Sequence, residues 1–235
     1  MPIDFRPSPD KTAPARAETG RDYPTTDMEK DMHQTKGIVL ASRSPYRAEL
    51  LRRLLPEFRQ IAADLDETPL AKEQADDYVS RLSHAKAAAL ATDPELQGHV
   101  VIGSDQAAVL DGRILGKPGE MEAAVDMLSN CAGREVLFLT GLCLLETATG
   151  RRYEHLDRTR VRFRDFDRDT ARRYLEREAA LDCAGAFRCE GLGINLFEAI
   201  DNQDPTALIG LPLIAVARGL RELGVDPLAP QVVPS

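Results

Sequence analysis

Apolar and polar positions along the chain switch between two periods, and the switches mark the elements. Gly37–Ala41 is a short apolar run. After it, Ser44-Pro45 opens a helix that puts Ala48, Leu51, Leu54 and Leu55 on one face. Ser44 reads as the N-cap and Pro45 as the first helical residue, where a missing N–H leaves no bond unmade. Asp76–Ala91 reads as a second helix and His99–Gly103 as a buried strand. Val109–Leu115 reads as a hairpin turning on Asp111-Gly112, a dipeptide suited to the positive φ of a tight turn. Glu120–Leu128 is helical and closes by Gly133; Glu135–Glu146 is a long strand ending in a turn at Thr149-Gly150. Thr159, Val161 and Phe163 then alternate with Arg160, Arg162 and Arg164, which predicts a strand with one wet face. A further helix over Asp167–Glu178 turns Tyr174 and Leu175 inward, Leu196–Ile200 is a strand, and Pro212–Leu223 is a closing helix. Alternating helices and strands, several strands following one another directly, predict an α/β fold with a mixed sheet and flanking helices, forming one unit over residues 37–226.

The two ends do not share this pattern. Pro2, Pro7, Pro9, Pro14 and Pro24 are scattered among charges in residues 1–36, with no apolar period, so that segment is expected to be a disordered tail. Pro227, Pro230 and Pro234 mark residues 227–235 as a second, flexible tail. Across the 235 residues, 43% are hydrophobic, enough for a sizeable core, and 30 basic against 38 acidic residues leave a net charge of −8. That balance argues against a nucleic-acid partner, whose phosphates call for excess Lys and Arg. No apolar stretch approaches the ~20 residues of a membrane span, and no signal-like apolar region follows the first charges, so no membrane association and a cytoplasmic location are expected. Cys131, Cys143, Cys183 and Cys189 form no Cys-x-x-Cys, and no His lies at ligand spacing from a pair, so spacing predicts no zinc site.

Three clusters carry candidate chemistry. Ala41-Ser42-Arg43-Ser44-Pro45-Tyr46-Arg47 joins a strand to a helix N-terminus, where backbone N–H groups, two hydroxyls and Arg47 suit phosphate oxygens. On spacing alone it is equally a capped helix with two surface arginines. Val100–Gln106 delivers Asp105 at the carboxyl end of an apolar strand, a common way to seat a carboxylate in a crevice, and Gly116-Lys117-Pro118 follows in a stiff turn. Asp182–Ile194 is a glycine-rich loop in which Gly191 and Gly193 permit close backbone approach, but it lacks the glycine order of a dinucleotide or P-loop fingerprint. Asp64, Asp66 and Glu67 place carboxylates suited to Mg²⁺ in one loop, ahead of a helix carrying Arg81 and Lys86.

Taken in order, these clusters resemble the Maf family of nucleoside-triphosphate pyrophosphatases. The stretches that carry the resemblance are LASRSPYRAELL, DETP, RLSHAKA, VIGSDQAAVLDGRILGKP, TGLCL, DCAGAFRCEGLGINLFE and IGLPL, spread from Ile38 to Leu223. Gly103-Ser104-Asp105-Gln106, together with Asp182-Cys183-Ala184-Gly185 leading to Glu190-Gly191, looks more narrowly like the YceF-type subfamily, whose members hydrolyse 7-methyl-GTP. The resemblance implies a Maf-type, inosine-triphosphatase-like fold, a mixed twisted sheet with flanking helices and a central cleft. It implies a small-molecule nucleotide substrate, cut to 7-methyl-GMP and diphosphate by water attacking the α-phosphorus, and a divalent cation, Mg²⁺ or Mn²⁺, at Glu67 and Asp105. By the same resemblance Asp105 is the proton acceptor, Ser42, Arg47, Lys86 and Lys117 hold the phosphates, and Tyr46, Gln106 and Glu190 select the base. Tyr46 stands where the subfamily usually has Trp. A pyrophosphatase for dTTP or UTP and a non-catalytic nucleotide-binding regulator of cell division are the alternatives, and a homodimer stays open.

Overall fold

A computed structural model describes residues 36–178 and 180–229. The tail expected over residues 1–36 thus lies, but for Lys36, outside the described residues. Of the second tail, Pro227–Ala229 sits in a turn closed by Ala229 N–H donating to the Asp226 carbonyl, and the rest is outside. In chain order the elements are β1 (Ile38–Ala41), α1 (Pro45–Arg52), β2 (Arg59–Ile61), α2 (Ala75–Ala91), β3 (Val100–Leu110), β4 (Arg113–Leu115), α3 (Met121–Cys131), β5 (Glu135–Glu146), β6 (Arg152–Phe163), α4 (Arg168–Arg177), β7 (Phe197–Asp201) and α5 (Leu213–Glu222). The strands form one mixed sheet in the order β2-β1-β3-β5-β6-β7, with β4 added to β3. β1 runs parallel to both β2 and β3, and the other pairs are antiparallel.

β3 organises the site. Its start, Val100–Ile102, pairs with β1, and its end, Ala108–Leu110, pairs with β4 along the same edge. Between them Gly103–Ala107 has its ladder partners only in β5. The sheet therefore forks, and the gap in the fork exposes the middle of a central strand. The sequence pattern ended this strand at Gly103 and put Asp105 at its carboxyl end. Instead β3 continues through Leu110 with Asp105 near its middle, because the long apolar β5 supplies partners for Ser104, Asp105 and Gln106.

Side chains alternate across β3. Val101, Gly103, Asp105, Ala107 and Val109 face α2, whereas Ile102, Ser104 and Gln106 face the side of α1 and α5. Helix α2 lies very close to the sheet, and two glycines allow it. A Cβ on Gly103 would sit 2.1 Å from the Ser83 carbonyl oxygen, and one on Gly141 of β5 would sit 2.4 Å from that of Val79. On the other face, Leu40, Leu51, Ile102, Leu144, Val216 and Leu220 form the core under α1 and α5. Phe138, Phe163, Phe187 and Phe197 form a second core with α3 and α4. The alternation read in β6 is present: Thr159, Val161 and Phe163 are buried while Arg158, Arg160 and Arg162 are exposed. The Asp111-Gly112 turn has φ of 49° and 75°, as the hairpin requires.

Gly103→Ala is expected to destabilise the fold by about 1–3 kcal/mol, since the methyl meets helix backbone that cannot rotate away. Gly116→Ala, where nothing lies within 4 Å, is the control and is expected to stay within about 0.5 kcal/mol of the parent. Urea unfolding of both variants checks the difference.

Candidate active site

Ser44 builds one end of the cleft. Its backbone is extended and its hydroxyl accepts from Arg47 N–H, so it is the N-cap that the sequence predicted, with Pro45 at the first helical position. Ser42 Oγ in turn accepts from Ser44 N–H at 3.1 Å, leaving its own O–H to donate. Gln60 of β2, an edge strand the sequence pattern did not reveal, fixes this loop by donating to the carbonyls of Ser42 and Ser44. Arg47 Nε donates to the Gly210 carbonyl at 2.8 Å. Burial pulls its guanidinium below the usual arginine range, against the attraction of Asp105 and Glu67.

The charged centre lies in the fork. Lys86 reaches from α2 to Asp105, with Nζ 2.5 Å from Oδ1, and to Glu67, with Nζ 2.8 Å from Oε1. Asp105 and Lys86 are only 6% and 7% exposed. Desolvation pushes the Asp105 carboxyl above the usual carboxylate range, although Lys86 and Arg47 oppose the shift. Burial also works against ionised Glu67, but the Lys86 hydrogen bond and the charges of Lys86, Lys117 and Arg47 prevail and hold it low. Adjacent carboxylates are thus tuned in opposite directions, the pattern of an acid–base site. Tyr78 fixes the Glu67 loop by donating its O–H to the Glu67 carbonyl at 3.0 Å.

Ser42, Tyr46, Arg47, Glu67, Lys86, Asp105, Gln106, Lys117 and Glu190 all line one cleft of about 740 Å³, within the size range of small-molecule sites. Two of them differ from the expected arrangement. Gln106 faces the opposite side of the sheet from Asp105, and its amide donates to Thr140 Oγ1 and to the carbonyls of Ala207 and Leu208. Its N–H groups are therefore spent on holding the 207–210 turn, and its carbonyl oxygen is the group left for a ligand. The Tyr46 ring has the Arg188 guanidinium over it, 5.3 Å from the centroid. Arg188 lies within the glycine-rich cluster that the sequence singled out, yet no role was read for it there. IGLPL was also legible only as a family stretch. Gly210 has φ 117°, and its carbonyl accepts from both Ser104 and Arg47 and so ties Arg47 of α1 to β3.

The carboxylates of Glu67 and Asp105 converge on one ammonium, so they form a hard-oxygen pair already gathered around a cation, as Mg²⁺ or Mn²⁺ requires. A different group that fits a metal ion, His84, Cys143 and Glu154, has ligand atoms within 4.8 Å of one another although sequence spacing predicted no zinc site. None of the three lines the cleft. Cys143 is fully buried with its thiol pushed up to about 12 by desolvation, and His84 Nδ1 pairs with Glu154 at 3.1 Å. Among the described residues no helix is long and apolar enough to cross a membrane.

Comparison with known proteins agrees with the motif order. The family model "Maf-like protein" matches residues 37–223. A 7-methyl-GTP pyrophosphatase of Pseudomonas aeruginosa is 49% identical over 189 residues, covering 80% of this chain and 97% of its own. Its counterpart in Xanthomonas oryzae pv. oryzae is 50% identical over 187 residues, 80% of this chain and 96% of its own. Among solved structures, the Ham1 protein of Staphylococcus aureus aligns with 55% of this chain and 73% of its own at 20% identity and a TM-score of 0.39, too loose a likeness to argue from. With the family stretch spanning the whole sheet and every wall of the cleft, this chain belongs to the Maf-like protein family.

Proposed function

We propose that this protein is a nucleoside-triphosphate pyrophosphatase that converts 7-methyl-GTP to 7-methyl-GMP and diphosphate. The observation that carries the reading is the pair of carboxylates gathered on Lys86 in a cleft also lined by Arg47 and Lys117. A triphosphate brings about four negative charges; Arg47, Lys86 and Lys117 offset part of them, and a divalent cation would balance the carboxylates of Glu67 and Asp105. The names of the similar proteins support the substrate. Free thiols at all four cysteines and the absence of a membrane-crossing helix among the described residues support action in the cytoplasm.

In this reading Ser42, Arg47, Lys86 and Lys117 orient the triphosphate chain. Asp105, ionised, takes a proton from the water that attacks the α-phosphorus, the new P–O bond forming as the bridging bond to the β-phosphate breaks. Burial raises its pKa and so makes it a stronger base than an ordinary aspartate. The electron pair leaves with diphosphate, and the cations nearby stabilise its charge. Glu67 and Asp105 would hold Mg²⁺ or Mn²⁺, which would supply Lewis-acid stabilisation of the phosphoryl oxygens. At the far end Tyr46 stacks on the base, whose positive charge after N7 methylation adds a cation–π contribution of about 0.5–2 kcal/mol. Glu190 accepts from its N1–H and N2 amino group.

Turnover of 7-methyl-GTP, GTP, dTTP, UTP and CTP with Mg²⁺, followed by diphosphate and monophosphate release, tests the reading. A clear preference for 7-methyl-GTP is expected. Preference for dTTP or UTP would overturn the base assignment, and nucleotide binding without turnover would overturn the activity. Asp105→Asn is expected to lose at least ~10²-fold in kcat with KM little changed; a raised KM at unchanged kcat would reassign Asp105 to binding. Glu190→Gln is expected to lower the ratio of kcat/KM for 7-methyl-GTP over GTP, because the neutral amide no longer favours the cationic base.

A further inference from the structure

The loop that carries Glu190 is held rigidly. Phe187 packs edge-on against Phe138, Phe163 and Phe197 with centroids 4.9–5.5 Å apart. Arg188 N–H donates to the Tyr174 hydroxyl at 2.9 Å, and the Arg188 carbonyl accepts from Gly193 N–H at 3.1 Å. Gly193 lies so close that a Cβ there would fall 2.3 Å from that carbonyl oxygen. The backbone of residue 188 is thus fixed from both sides, and its side chain projects from a defined point on the cleft wall.

That side chain is incompletely satisfied. Arg188 Nε is a buried donor with no hydrogen-bond partner among the described residues. Its NH2 reaches Asp182 only at 3.7 Å, and Asp182 is largely exposed. Nε is enclosed, and the guanidinium also pairs with the Cys183 side chain, but the side chain as a whole is 28% exposed on the cleft wall, so its terminal N–H groups are the donors that a ligand acceptor can reach. The guanidinium also lies over the Tyr46 ring, 5.3 Å from its centroid. It therefore borders the face on which a base would stack.

We infer that Arg188 is a specificity-determining residue that donates to the O6 carbonyl of the guanine ring, next to Glu190 accepting from N1–H and the N2 amino group. The inference rests on the proposed function. A donor followed two residues later by an acceptor matches the Watson–Crick edge of guanine, which offers one acceptor and then two donors. Adenine opposes it at both positions, with an amino group facing Arg188 and a bare N1 facing Glu190. Uracil and thymine match the first two positions but set their O2 carbonyl against the Glu190 carboxylate. The edge is the same with or without the N7 methyl group, so Arg188 selects guanine while Tyr46 and the Glu190 charge select methylation.

The test is kcat/KM of the full-length protein and of Arg188→Met and Arg188→Lys on 7-methyl-GTP, GTP and ATP. Arg188→Met is expected to lower the guanine-over-adenine ratio about tenfold or more, chiefly through KM for GTP and 7-methyl-GTP. The ratio of 7-methyl-GTP to GTP is expected to stay within about threefold of the parent, and Arg188→Lys, which keeps a donor, to recover part of the loss. A uniform fall in kcat on all three nucleotides would make Arg188 structural and overturn the inference, as would an unchanged guanine-over-adenine ratio. Failure of the parent to turn over 7-methyl-GTP would instead overturn the proposed function itself.

Discussion

A lysine ammonium buried against two carboxylates is the interaction on which the rest of the site depends. Lys86 reaches Asp105 because α2 rests directly on Gly103 and Gly141, where no side chain stands between helix and sheet. Asp105 reaches the cleft because the edge of β3 is shared by two short strands that leave its middle open. A buried charge left without its partner costs several kcal/mol, so Asp105, Glu67 and Lys86 must be kept together by the fold around them. Deeper burial of Asp105 than of Glu67 shifts the two carboxylates in opposite directions, and their convergence on Lys86 gathers oxygen ligands where a divalent cation and a phosphate chain would meet.

The two ends of the cleft are built by different means. At the phosphate end, hydroxyls and backbone groups are locked by hydrogen bonds: Ser44 caps α1, Gln60 fixes the loop before it, and the Gly210 carbonyl ties Arg47 and Ser104 together. At the base end, an aromatic cluster does the fixing, with Phe187 buried in the core immediately before Arg188. Charge follows the same division. Arg47, Lys86 and Lys117 stand with Glu67 and Asp105 where phosphates and a divalent cation would lie, whereas Asp182, Arg188 and Glu190 mix signs around Tyr46. Mixed signs around an aromatic face suit the reading of a heterocycle's donors and acceptors better than simple neutralisation does.

Much of the fold was legible because it follows local rules. The Ser44-Pro45 helix start, the Asp111-Gly112 turn and the alternation in β6 each appear where the sequence predicted them. The nine nominated residues do share one cleft, since the family stretches preserve their order along the chain. What escaped was tertiary in origin. Ser104-Asp105-Gln106 looked like a strand end because polar residues break an apolar run, yet β5 carries the strand through them. Arg59–Ile61 was missed because a three-residue edge strand with two exposed positions has no readable period. Arg188 drew no reading, because an unmet hydrogen-bond donor becomes visible only once its neighbours are known.

The pH dependence of kcat/KM for the parent and for Lys86→Met tests the central pairing most directly. With Asp105 as the proposed base, the rate is expected to fall as pH drops through its pKa, which burial holds above the ordinary carboxylate range. Lys86 lowers that pKa by its charge and hydrogen bond, so its removal is expected to move the acidic limb to higher pH in addition to reducing the rate. The substrate's own ionisations are common to both proteins and leave the comparison intact. An acidic limb that stays in place, or moves to lower pH, would contradict the account of Asp105 as the base and Lys86 as its partner.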